Sequence, residues 1–162
     1  MQSRLNFTKI APNALKTMLD FEAYLAKCGL EASLLHLVKM RASQINGCAY
    51  CLDMHSKDAR AMGETEQRLY VLDAWREAPF YSARERAALA WTESLTLISD
   101  THAPDDVFDE AREHFSEQEL ADLTLAIVAI NGWNRLSIGF RAEPGKYQPA
   151  KRAHRAEAAT TA

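Results

Sequence analysis

The 162-residue chain has no apolar run near the roughly 18 residues that a membrane helix needs, so a spanning segment is not expected. A basic surplus is missing too, since the formal net charge is −3 and the isoelectric point is about 6.0. Nucleic acid and anionic membrane surfaces both reward positive charge, so neither is an expected partner. The first 20 residues carry Arg4, Lys9, Lys16 and Asp20 without a continuous apolar core, which argues against a secretory signal. Three cysteines are too few for a secreted disulfide framework. A Cys-x-x-Cys pair in such a chain points instead to catalysis or metal binding, and to the cytoplasm. No stretch keeps the period of two that a strand requires, and no segment is of low complexity.

What remains is helix, and an all-α bundle of about six to eight helices is the expected fold. The length suits one domain, expected over residues 1–147. Pro12 fits the first turn of a helix running to about residue 28, with Leu15, Met18, Leu19 and Leu25 as its apolar stripe. Cys28 has no partner at useful spacing and reads as a small core residue. A second helix is expected from 33 to about 45, and a third from Cys48 to about 61, closed by Gly63. Thr65 can cap a helix reaching Trp75, and Pro79 breaks it from the next helix. Ser82 with Glu85, and Ser116 with Glu119, have the spacing of capping boxes. The first opens a helix reaching Ile98; residues 100–104 read as a loop and 104–114 as an acidic-fronted helix. The second opens the most apolar stretch, 120–130, which continues to about Phe140 and is expected to be central or at an interface. Gly145 and Pro149 end the order, and 148–162 reads as a disordered tail.

The chemistry gathers after Asn46-Gly47, a turn signal. Cys48 falls at or just before the first turn of the third helix, where free N–H groups and the macrodipole stabilise a thiolate. Cys51 and His55 share one helical face with it. Cysteines at i and i+3 have Cα atoms about 5 Å apart, within disulfide reach. His55 can take a proton from Cys51 when neutral, or hold the thiolate as imidazolium. His36, on the preceding helix, is either a neighbour of the thiols or a histidine satisfied by hydrogen bonds at a packing face. Asn131 and Asn134 on a buried helix need partners. They either support the thiol site, as Tyr50 would, or bond helix to helix.

The run Ser43-Gln44-Ile45-Asn46-Gly47-Cys48-Ala49-Tyr50-Cys51 through His55 resembles the core motif of the AhpD-like alkylhydroperoxidases, in the carboxymuconolactone decarboxylase superfamily. The flanks Lys57-Asp58-Ala59-Arg60, Trp75-Arg76-Glu77 and Asn131-Gly132-Trp133-Asn134-Arg135 extend the likeness across roughly residues 10–142. The resemblance implies an all-α fold, a trimer or hexamer, and reduction of hydroperoxides by the cysteine pair without metal or other cofactor. It departs in two places: where well-known members carry a glutamate twelve residues before the first cysteine, this chain has His36, and where members can carry a histidine between the cysteines, it has Ala49 and Tyr50. A neutral His36 would not raise the basicity of His55, whereas a protonated one would lower a thiol pKa directly.

Four readings of the motif stand open. The first is a peroxidase in which a thiolate becomes a sulfenic acid and the second cysteine condenses with it, an external thiol reductant reopening the disulfide. The second is a general thiol–disulfide oxidoreductase. The third is a zinc site of Cys48, Cys51 and His55 with His36 or His102 as fourth ligand. The fourth is a decarboxylase, lactone-type or purely structural domain. Within the first, proximity to His55 assigns the attack to Cys51 and resolution to Cys48. The helix N-terminus argues for the opposite order.

Overall fold

The structure is a computed structural model and describes residues 2–149; the part of the expected tail from 150 onward lies outside the described residues. Among the described residues there are nine α-helices, one 3-10 turn and no strand: α1 Phe7–Ile10, α2 Pro12–Leu25, α3 Ala32–Asn46, α4 Ala49–Ala61, α5 Glu66–Tyr70, the 3-10 turn Leu72–Ala74, α6 Ala83–Thr96, α7 Ile98–Thr101, α8 Asp105–His114 and α9 Glu117–Phe140. The excess over the expected count comes from two single-turn helices, α1, which precedes the start expected at Pro12, and α7, which runs from the expected helix end at Ile98 into the expected loop. The helix expected from Thr65 to Trp75 is divided into α5 and the 3-10 turn. Both capping boxes form, and Thr65 caps α5.

Helix α3 is the centre of the bundle, packed against α4, α6 and α9. Its Leu34, Leu35 and Val38 meet Ala88 and Trp91 of α6 and Leu123 and Ile127 of α9 in the main core. Leu37 and Met40, on another face, pack with Leu69, Leu72, Trp75 and Leu89. The two thiols belong to a third, smaller cluster, with Ala42 of α3 and Ile130 of α9. Cys28 lies apart from them, half-buried against the main core.

The turn that sets the thiols is local. Gly47 has φ +66°, a left-handed conformation that strains any residue with a Cβ. Its N–H bonds the Gln44 carbonyl at 3.1 Å, and the Cys48 N–H bonds the Ser43 carbonyl at 2.9 Å. These two bonds form a Schellman motif that ends α3 and delivers Cys48 as the N-cap of α4. Helix α9 is central on one face only: Leu123, Ile127 and Ile130 are buried, but Leu125 is 37% and Val128 55% exposed. Among the described residues no helix is long and apolar enough to cross a membrane.

Candidate active site

The N-cap position and the i+3 spacing bring the Cys48 and Cys51 Sγ atoms to 2.8 Å, a thiol hydrogen bond. Both residues are only 1% exposed. A buried pair this close holds its first negative charge on one sulfur while the other donates to it. The charge falls on Cys48. Donation from the Cys51 thiol, and then the Cys51 backbone N–H at the start of α4, hold Cys48 down at about 6 against the burial that opposes it. Cys51 is pushed up correspondingly, by donating to Cys48 and by burial. Ser137 of α9, its Oγ 3.8 Å from Cys51 Sγ, and Asn134 favour the thiolate at both positions.

His55 makes no hydrogen bond to either sulfur among the described residues. Burial first, then the positive charge of Lys39 and the nearby His36, holds it down at about 3. His36 is also held below its ordinary value, chiefly by burial. Both rings are therefore neutral near pH 7. This removes the imidazolium roles that spacing allowed: neither ring supplies the positive charge for a thiolate, and His55 can only accept a proton. The ring centroids of His36 and His55 lie 6.0 Å apart, which places His36 beside His55.

The asparagines are placed by the same packing. The Asn46 amide donates to Asn131 Oδ1 at 3.0 Å and to Asn134 Oδ1 at 2.8 Å. Asn134 donates in turn to Ser43 Oγ at 3.1 Å, and Asn131 to Thr96 Oγ1 at 3.1 Å. The last turn of α3, immediately before Gly47, is thus tied to α9. Asn131 bonds helix to helix; Asn134 does this and also acts on the thiols.

A cavity of about 430 Å³ opens beside the pair. Cys51 lines it together with His36, His55, Tyr50, Trp133 and Ser137, and Leu15, Leu19 and Met54 give it an apolar wall. Cys48 does not line it. Lys39 and Glu22, paired at 2.6 Å, also face this space. Ser137 and Asp58 were not singled out from the sequence. Ser137 is three residues past Asn134 and Asp58 three past His55, so helical spacing from those residues leads to both. The ligand set of the zinc reading is not assembled: no group of three potential ligand atoms among the described residues includes a cysteine. His102 is exposed at the end of α7.

An all-α bundle that buries a Cys-x-x-Cys pair at a helix N-terminus, beside a cavity with a neutral histidine, defines a class of helical dithiol proteins. The model of the carboxymuconolactone decarboxylase family matches residues 12–94. The chain belongs to that family, in the AhpD-like superfamily. It is 48% identical over 138 residues to the uncharacterised protein YdfG of Bacillus subtilis, covering 85% of this chain and 94% of that one. A crystal structure of an Agrobacterium tumefaciens protein of unknown function, proposed to be the antioxidant defence protein AhpD, superposes with a TM-score of 0.87 at 45% identity; it covers 90% of this chain and all of that one. The debrominase Bmp8 shares the fold, with a TM-score of 0.76 at 20% identity over 83% of this chain and 73% of that one.

Proposed function

We propose that this protein is a thiol-dependent peroxidase that reduces alkyl hydroperoxides or hydrogen peroxide through Cys48 and Cys51. The supporting observation is the 2.8 Å thiol pair whose outer member, Cys51, lines a largely apolar cavity. The peroxide enters this cavity. Cys51 passes its proton across the short contact to Cys48 and attacks the terminal peroxide oxygen. The O–O bond breaks, Cys51 becomes a sulfenic acid, and the leaving alkoxide takes the proton held on Cys48. Cys48, a thiolate again, attacks the Cys51 sulfur and displaces hydroxide, which solvent protonates to water. Two electrons leave the sulfurs and two enter the peroxide. An external thiol reductant, protein or small molecule, reopens the disulfide, and no bound cofactor takes part. A dithiol that must be re-reduced suits the cytoplasm. Counting free thiols before and after one equivalent of an alkyl hydroperoxide tests the reading. Two thiols per chain should be lost, with mass spectrometry placing the disulfide at Cys48–Cys51. No loss, or a dominant linkage through Cys28, refutes it.

Assembly is part of the same proposal. Leu97, Ile98, Leu125, Val128 and Ile138 leave large apolar side-chain surface exposed. A homo-oligomer, a hexamer ahead of a trimer, would cover it. Light scattering at micromolar concentration should give a multiple of the 18.2 kDa chain mass; a monomer mass would sink this part.

A further inference from the structure

Three potential metal ligands converge on one side of the cavity. One ligand atom from each of His36, His55 and Asp58 lies within 4.8 Å of the other two. His36 comes from α3, and His55 and Asp58 are successive members of one face of α4. Neither histidine has its bonding satisfied in the usual way. His55 is only 6% exposed, and its Nδ1 is buried without a hydrogen-bond partner, 4.0 Å from Asp58 Oδ2. His36 Nε2 faces the Met62 sulfur at 3.0 Å, which leaves its Nδ1 also buried and unpartnered. Two unpartnered buried imidazole nitrogens cost about 1–3 kcal/mol each unless a partner satisfies them.

We propose that His36, His55 and Asp58 form a binding site for a divalent first-row transition metal, separate from the dithiol but sharing its cavity. Two neutral imidazoles and one carboxylate suit such an ion, and three protein ligands leave positions open to water or a small anion. Tetrahedral ligands at about 2.0–2.1 Å from a metal are roughly 3.4 Å apart, so the three side chains must draw in by roughly 1 Å. Rotation of the two rings and of the carboxylate is the movement this requires. Asp58 is already oriented: its other oxygen, Oδ1, accepts from the Tyr147 hydroxyl at 2.6 Å, the kind of outer partner that metal-bound carboxylates have. Lys39, whose charge also lowers the His55 pKa, is paired with Glu22 at 2.6 Å, and Trp133 Nε1 donates to the other Glu22 oxygen at 3.0 Å, so this pair adds no net charge beside the site. The charges sum to +1 with the ion bound, which a hydroxide or an anionic ligand in the cavity balances.

The site does not depend on peroxidase activity, so its test is direct binding. The chelator-treated full chain is titrated with Zn²⁺ by calorimetry and with Co²⁺ by absorption. One ion per chain is expected, with cobalt d–d bands and no intense thiolate-to-cobalt charge transfer. Binding should persist in the Cys48→Ser/Cys51→Ser double variant. His36→Gln and Asp58→Asn should each weaken it by roughly tenfold or more. Absence of saturable binding, thiolate charge-transfer bands, or affinity unchanged by both single substitutions would overturn the assignment. Loss of peroxide-dependent thiol oxidation alone would bear on the dithiol and leave the metal result standing.

Discussion

Cys51→Ser is expected to abolish the first oxidation step, lowering the rate of peroxide-dependent thiol loss on the order of 10³-fold or more. Cys48→Ser should still consume one equivalent of peroxide, then stop with a trappable sulfenic acid at Cys51. The asymmetry comes from access. Both cysteines are equally buried, but Cys51 forms part of the cavity wall and Cys48 does not. The resting charge points the other way, since the helix N-terminus and the Cys51 thiol place it on Cys48. These two facts are compatible because one proton moving across 2.8 Å exchanges the roles of the sulfurs. A serine at 48 cannot close a disulfide and, unlike the Cys48 thiolate, does not take the Cys51 proton, so the first step slows and the second fails. Dimedone labelling and intact-mass measurement on both variants decide the matter. A sulfenic acid trapped on Cys48 in Cys51→Ser, with Cys48→Ser inert, would reverse the assignment.

Features encoded within a few residues were legible in the chain. The capping boxes, the Thr65 cap, the Pro12 start and the Asn46-Gly47 turn all depend on neighbours in sequence, and each forms. Features set by distant contacts were not. Helix α1 forms where Phe7 stacks on Phe140 at 6.1 Å and the Arg4 N–H bonds the Phe140 carbonyl at 3.0 Å. Nothing within residues 1–11 signals that docking. The spacing of Cys48, Cys51 and His55 gave their common face but not their charge states. Neutrality of His55 and His36 comes from burial and from Lys39, which reach them only through packing. Asn46 was read for its turn propensity alone. Its side chain proves to be the donor that links α3 to both buried asparagines of α9. An apolar stretch such as 120–130 likewise does not reveal which residues stay uncovered. Leu125 and Val128 differ from Leu123 and Ile127 only in where the helix faces the bundle.

Asn134→Ala is expected to cost about 2–4 kcal/mol and to lower the melting temperature by roughly 5–15 °C. Asn134 is fully buried and uses both ends of its amide, accepting from Asn46 at 2.8 Å and donating to Ser43 Oγ at 3.1 Å. Alanine leaves a void and removes both bonds. Ser43 stays partly satisfied, because its hydroxyl donates to the Lys39 carbonyl at 2.7 Å, and Asn46 keeps Asn131 as an acceptor. Those remaining bonds limit the loss. The same substitution has a second effect that a merely structural residue would not produce. Asn134 favours the thiolate of the cysteine pair, so its removal raises the thiol pKa. In the unsubstituted protein, ultraviolet thiolate absorbance should rise through about pH 6 as Cys48 ionises. In Asn134→Ala the rise should move to higher pH, leaving less thiolate near neutrality and a slower reaction with peroxide there. Thermal melting and the absorbance titration, run on the same preparation, separate the two effects. A melting temperature within a few degrees of the parent, or a thiolate midpoint that does not rise, would show that Asn134 does not couple the α3–α9 packing to the chemistry of the pair.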